Sequence, residues 1–308
     1  MYLEKRKSGK SIKYFLVHSY RNENNKVAKL RRFLGTNLTD KELKKLKILA
    51  EKYLQSQIDD MQTKLFDFAL SDKKIESINK YNDKISIVHF TKKQWYQFTE
   101  EFIYNTNAIE GSTVLLEEVP QILKKRKIED PEEIETKGVA KAIKFIRRTK
   151  LDLSLKLILN LHKFCFEGSK YFAGKFRDVE VIIRDREGNI IHSGTPVSLL
   201  DTELQNFIKW YKQNKKKFKP LALATIIHNE FEDIHPFQDG NGRVGRLLLN
   251  FILLKNNYPP INILLKDRAE YYHILQEYQK RNKIIPSLKF FIKQYKKTLK
   301  QVTTKKKN

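Results

Sequence analysis

The stretch HPFQDGNGRVGR, residues 235–246, gathers one imidazole, one carboxylate, three glycines and two guanidinium groups within twelve positions. His235 carries a side chain whose ordinary pKa of about 6.5 suits removal of a proton near neutrality. Asp239 offers a hard oxygen for Mg²⁺, which takes few protein carboxylates when phosphates supply its other ligands. Gly240, Asn241 and Gly242 precede an apolar helical pattern, so the free N–H groups of a first helical turn would form a cradle for an anion. Arg243 and Arg246 are three residues apart on that helix, hence on one face, where both can grip phosphate oxygens. A base, a metal carboxylate, an anion cradle and two guanidinium groups describe phosphoryl or nucleotidyl transfer.

Gly240, Gly242 and Gly245 also fit the G-x-G-x-x-G spacing of dinucleotide-binding folds, and Asp267 stands near the distance of a ribose partner. That reading requires a strand directly before the first glycine. Here Leu221, Ala224, Ile227 and Phe231 recur at helical steps before it, and Asp267 follows Pro259-Pro260 at the start of another helical pattern. The glycines therefore belong to a loop between two helices.

Around this loop the chain reads as mainly helical. Residues 1–34 read as strands, KSIKYFLVHSY and KVAKLRRFLG, with a turn at RNENN. Capping boxes at Thr39–Glu42 and Thr91–Gln94 start two helices, the first running to about Leu70, the second stopping at Gly111. SDKKIESINKYNDK, residues 71–84, looks like a polar connector. Further helices are expected near 113–125, 131–149, 152–166, 198–214, 219–232, 242–256, 267–282 and 286–300. Residues 179–194 interrupt them with a β-hairpin pattern around a Gly-Asn turn. SGKS at 8–11 imitates the end of a Walker A loop but lacks the first glycine, since position 4 is Glu4. TTKKKN closes the chain as an expected frayed tail.

The 308 residues carry 61 Lys+Arg against 36 Asp+Glu, a formal net charge of +25, which favours acidic partners. Cys165 is the single cysteine, so an internal disulfide or a Cys-rich zinc site is excluded; its apolar helical context marks a core thiol. The apolar run at Leu247–Leu254, broken by Asn250, is too short to span a bilayer, and no signal-peptide pattern opens the chain. A cytoplasmic protein without membrane attachment is expected. His228, seven residues before His235, lacks the companions of a metal ligand and reads as a packed histidine.

HPFQDGNGRVGR resembles the signature of Fic domains, His-Pro-Phe-x-Asp-Gly-Asn-Gly-Arg-x-x-Arg, at every fixed position, and HNEFEDI resembles the helix end that leads into it. The resemblance covers about 90–297. It implies a mainly α fold, a Fic-type helical domain with a β-hairpin flap; residues 1–85 lie outside it, and their own patterns add a small N-terminal β-containing extension. The expected organisation is a basic β-rich segment at 1–38, a helical connector at 39–90, the catalytic domain at 91–297 and a basic tail at 298–308. The implied activity is transfer of AMP from ATP to a Ser, Thr or Tyr hydroxyl of a target protein. His235 would deprotonate the hydroxyl, and Asp239 would hold Mg²⁺. Gly240, Asn241 (through its side-chain amide) and Gly242 would form the anion hole, and Arg243 and Arg246 would bind the β- and γ-phosphates. Phe237 would be structural. The flap, at about Val179–Ser193, would pair with a target segment as an added strand. Tyr272 would stack on adenine and Gln279 contact its edge.

TNAIEG, Thr106–Gly111, resembles the family's inhibitory motif, Ser/Thr-x-x-x-Glu-Gly/Asn. There Glu110 would pair with Arg246 and occupy the γ-phosphate's place, an intramolecular brake. The same glutamate serves removal of AMP in some relatives, so writer and eraser stay open. So do self-modification, a homodimer and transfer of another phosphate-containing group such as UMP, phosphocholine or phosphate. A further class is nucleic-acid binding through 1–38, where Lys5, Arg6, Lys7, Lys10, Lys13 and Arg21 interleave with Tyr14, Phe15 and Tyr20.

Overall fold

A computed structural model of the chain describes residues 1–9, 11–21, 27–63, 72–184, 190–281 and 283–303. They divide into two compact units, Met1–Ala69 and Leu70–Asn308.

The first unit is an antiparallel meander of β1 (Tyr2–Ser8), β2 (Ser11–Arg21) and β3 (Val27–Thr36), followed by α1 (Asp40–Thr63). Alternation sends Tyr14, Leu16 and Leu34 to one face, where they meet Ala50 and Leu54 of α1 in a small core. The Thr39–Glu42 capping box forms: the Thr39 N–H donates to Glu42 Oε2 at 3.0 Å and the Glu42 N–H to Thr39 Oγ1 at 3.4 Å. The sequence division at residue 38 parted α1 from the sheet it packs on. β1 is an additional strand, and the RNENN turn lies largely outside the described residues.

The second unit begins with α2 (Asp72–Asn79) and a 3₁₀ turn, Lys80–Lys84. The polar connector expected there is instead ordered structure that ties down the domain. Asn82 is buried; its amide donates to Tyr258 Oη at 2.9 Å and its Oδ1 accepts the Leu221 N–H at 2.9 Å. Then follow α3 (Lys92–Ile109), α4 (Val119–Lys124), α5 (Pro131–Ile146) and α6 (Leu155–Phe166). The helix expected over 113–125 is shortened to α4. Glu132 draws the Thr113 N–H at 2.9 Å and Glu118 the Leu115 N–H at 2.7 Å, holding 113–118 as turns.

The hairpin comes next, β4 (Ile182–Arg184) pairing with β5 (Ile190–Ser193); its tip lies outside the described residues. It is followed by α7 (Val197–Asn214), α8 (Pro220–Ile234), α9 (Asn241–Lys255), α10 (Arg268–Arg281) and α11 (Ile284–Thr303). Every residue of α8 from Leu221 to Glu232 is buried, so α8 is the central helix of the domain. It packs on α9, and the loop between them carries the signature residues. The basic tail is helical as far as Thr303; the remainder is outside the described residues. Among the described residues no helix is long and apolar enough to cross a membrane.

Candidate active site

The loop between α8 and α9 begins with His235 in the left-handed region, φ 52° and ψ 59°. A non-glycine residue there costs of order 1–3 kcal/mol, and is held only when the surroundings over-determine it. Arg177 does much of that holding. Its Nε donates to the His235 carbonyl at 2.8 Å, its Nη1 to Val179 O at 2.9 Å, and its Nη2 to Thr195 O and Ile234 O. The Arg177 N–H adds a bond to Pro236 O at 3.0 Å, and the Thr195 N–H one to Ile234 O at 3.1 Å. Both feet of the hairpin are thus tied to the carbonyls of the loop between α8 and α9.

His235 Nδ1 lies 3.3 Å from the Glu232 carbonyl, which can only accept, so Nδ1 carries the hydrogen and Nε2 keeps its lone pair. Burial lowers the imidazole to about 4, with the nearby His192 and Arg177 acting in the same direction. The ring is therefore neutral at pH 7, as a proton acceptor must be. His192, on β5, has its ring centroid 6.1 Å from that of His235.

Phe237 is fully buried and stacks on His162 at 3.8 Å, fulfilling its expected structural place. His162 accepts the Gly174 N–H on Nδ1 at 2.8 Å and donates from Nε2 to the Asp239 carbonyl at 3.1 Å. The Asn241 side chain closes a ring with Phe237, accepting its N–H at 2.8 Å and donating to its carbonyl at 2.7 Å. This departs from the side-chain role expected for Asn241: its amide braces the loop, which leaves its backbone N–H at the open end of α9. Gly240, at φ +86°, is the N-cap and contributes no side chain. The first-turn N–H groups of Asn241, Gly242 and Arg243 consequently have no intrahelical partner, and they converge with the helix dipole on the mouth of α9.

Both cradle arginines are buried, and each meets a carboxylate. Arg246 Nη2 is 2.7 Å from Glu110 Oε1, and it also donates to Thr106 O at 2.8 Å while Nε donates to Thr106 Oγ1 at 2.7 Å. Nη1 of Arg246 has no partner among the described residues. Burial opposes its charge, but Glu110, with Tyr271 and Glu232 behind, holds it protonated well above the usual range. Glu110 is the C-cap of α3. Arg243 is ion-paired through Nη1 with Glu135 of α5 and lies over the Phe166 ring at 4.3 Å. Beneath Arg246, Glu232 Oε1 is buried with no hydrogen bond, and burial pushes this carboxyl up to about 8 against the pull of Arg246.

Asp239 keeps a side chain 45% exposed, its oxygens 3.5 Å from Lys170 Nζ and 3.7 Å from Arg243 Nη2. Those separations leave the carboxylate accessible to a hard cation. A single carboxylate suits Mg²⁺ that draws its remaining ligands from phosphates and water. No cluster of three or more His, Cys, Asp or Glu converges among the described residues.

Tyr272 on α10 is half-buried beside the end of α3, its hydroxyl donating to Ile109 O at 3.2 Å and accepting from Arg268 Nε at 3.2 Å. Gln279 lies two turns further along α10, half-buried, and is not joined to this network. His228 bonds Tyr271 Oη at 2.9 Å and Asn229 Oδ1 at 3.1 Å; it is a packed histidine held by side chains. Cys165 is fully buried and burial pushes its thiol up to about 12, a core position. Sequence reasoning missed Arg177, Glu135, His162 and Glu232. Each reaches the site from a stretch without a local motif, except Glu232, which lies in the helix end HNEFEDI.

Residues 152–253 match the Fic/DOC family. Protein adenylyltransferase Fic of Drosophila melanogaster is 31% identical over 224 residues, which cover 68% of this chain and 44% of that protein. The chain thus spans less than half the length of the curated relatives it matches. Among solved structures, a Fic-domain-containing signalling protein from Bacteroides thetaiotaomicron superposes with a TM-score of 0.62 at 21% identity, covering 75% of this chain and 96% of that one. IbpAFic2, solved covalently tethered to Cdc42, superposes with a TM-score of 0.51 at 14% identity, covering 85% and 84%. The two superpositions carry the fold and the sequence matches carry the kinship: the chain is a Fic/DOC family protein, related to protein adenylyltransferase Fic.

Proposed function

We propose that this chain transfers AMP from ATP to a hydroxyl of a protein target and that Glu110 restrains the reaction. The observation that carries the reading is the alignment of a neutral, strained His235 with the N-terminus of α9, whose first turn opens beside two buried arginines. In this reading His235 Nε2 takes the proton of the target hydroxyl while its oxygen attacks the α-phosphorus. The bond from the α-phosphorus to the bridging oxygen breaks, and pyrophosphate leaves. The N–H groups of Asn241, Gly242 and Arg243 stabilise the charge gathering on the phosphoryl oxygens, a preorganised cradle that needs no rearrangement during reaction. Asp239 would hold Mg²⁺, which neutralises charge on the α- and β-phosphates when bound.

Arg246 would receive the terminal phosphate only after Glu110 withdraws. Glu110 sits at the end of α3 with its side chain 26% exposed, so it can leave without disturbing the core. A target segment would pair along the hairpin, where Val179 and Ile182 are 45% and 46% exposed. The protein tethered to IbpAFic2 supports docking of a protein target in this fold. Removal of AMP is the second reading, favoured by the position of the same Glu110 carboxylate at the cradle, where it would orient water.

Incubation with α-labelled ATP and Mg²⁺, followed by mass spectrometry for added AMP on the chain, tests the proposal. Label is expected in the Glu110→Gly protein and absent when His235→Ala is added. Persistence of label without His235 would overturn the assignment of the base.

A further inference from the structure

The N-terminal sheet has a second face, opposite the small core that α1 closes; Val17 is fully buried at its centre and basic side chains stand exposed around it. Strand alternation and register place Arg6 of β1, Lys13 and Phe15 of β2, and Lys29, Arg31 and Phe33 of β3 on the side away from the Tyr14–Leu16–Leu34 face that α1 covers. Arg6, Lys13, Lys29 and Arg31 are all exposed, and Phe33 is 52% exposed. Residues 1–38 contain ten Lys and Arg against Glu4 and Glu23. Glu4 does not neutralise this face so much as order it: its carboxylate holds Arg6 Nε at 2.6 Å and Arg31 Nε at 3.4 Å, two guanidinium groups on opposite outer strands. Arg6 also lies over the Phe15 ring at 5.4 Å, and Phe15 meets Phe33 at 5.2 Å.

We infer that this sheet face binds duplex DNA. Four exposed cations carried on one face of a three-stranded sheet match the phosphate lattice of a duplex, whose two strands present about one charge per 1.7 Å of axis. Three strands about 4.8 Å apart make a sheet about 10 Å across, narrow enough for a major groove about 12 Å wide. A single-stranded partner is less well served. Such partners need open aromatic faces for their bases, and the Phe15 face is already covered by Arg6. This site is separate from the candidate active site in sequence and in chemistry, and does not depend on the adenylyl-transfer reading.

The test uses the full chain and a fluorescent 20-base-pair duplex, with the corresponding single strand as the competing probe, titrated between about 50 and 200 mM salt. Binding to the duplex is expected to fall with salt at a log–log slope of about −4, four phosphates at about −0.9 each. Lys13→Gln with Lys29→Gln should flatten that slope by about two. Neither residue holds an ion pair in the sheet, so the fold is spared. A control pair on the helical domain, Lys144→Gln with Arg148→Gln, should leave the slope unchanged. An equal loss in the control would mean a diffuse basic surface, and tighter single-strand binding sensitive to Phe33→Ala would mean a stacking platform. Either result, or absence of duplex binding, overturns the inference.

Discussion

The Glu110 carboxylate stands directly on Gly242: a Cβ at 242 would overlap Glu110 Oε1 and lie 2.9 Å from Arg246 Nη1. The Glu110 carboxylate and the first turn of α9 therefore share one small space, and glycine at 242 is what leaves room for the carboxylate. Under the proposed function a terminal phosphate and Glu110 would compete for the same guanidinium. Glu110→Gly is expected to raise self-modification by about 5–150-fold, the span of a coupling of 1–3 kcal/mol. Quantifying incorporated AMP per chain at fixed ATP checks it, and equal labelling in both proteins would remove the brake.

Arg177 ties the hairpin to the His235 loop, because its guanidinium donates to Val179 and Thr195 on the hairpin side and to Ile234 and His235 on the other. Arg177→Met, in a Glu110→Gly background, should lower kcat about 100-fold, the cost of a misplacement near 1 Å. KM for ATP should change little, since Arg177 makes no bond to the start of α9. Arg177→Lys should recover part of kcat. A KM for ATP rising in step with the loss of kcat would indicate general loosening instead.

Glu135 and Arg243 form a buried pair on which α5 and α9 meet. Glu135→Gln leaves the guanidinium with only the more distant Asp239 carboxylate, 3.7 Å from Nη2, so the loss is bounded by the about 3–5 kcal/mol of a fully broken buried pair. Thermal unfolding should show a clear fall in Tm, whereas Lys127→Gln, which breaks the exposed Lys127–Glu129 pair, should leave Tm within a degree or so.

The loop between α8 and α9 was legible because its pattern is local. An imidazole, a carboxylate, three glycines and two guanidinium groups packed into one helix–loop–helix must show in the sequence spacing. Its supports were not legible for the opposite reason. Arg177 is one basic residue among 61 Lys+Arg, and only the fold brings it beneath His235. Glu135 and His162 look like ordinary residues on amphipathic helices until α5 and α6 pack near α9. The Asn241 amide looked available to a phosphate because sequence cannot show that Phe237, four residues away, already binds it. At the N-terminus, β1 escaped notice because Tyr2–Ser8 is an outer strand rich in charge, without the clean apolar alternation of β2.

Acid and alkali should destabilise the domain through different buried groups. Burial lowers His162, His228 and His235 from 6.5 to about 4, 3 and 4. The unfolded chain binds protons there first, so this stability is full above pH 6.5 and is lost as pH falls through the folded values. Burial raises Glu230 and Glu232 from 4.5 to about 8. Here the folded chain binds protons first, so stability is full below pH 4.5 and is lost as pH rises through about 8. Between 4.5 and 6.5 the three histidines outweigh the two glutamates, so Tm should rise gently there, peak near pH 6.5 and fall above it. Glu232→Gln removes one alkaline liability while keeping the shape of the side chain under Arg246. Its Tm relative to the parent protein should therefore climb between pH 6 and pH 9, by scanning calorimetry at about ten pH values. A difference that is flat with pH would mean that Glu232 is already ionised in the fold, held by Arg246 despite its burial.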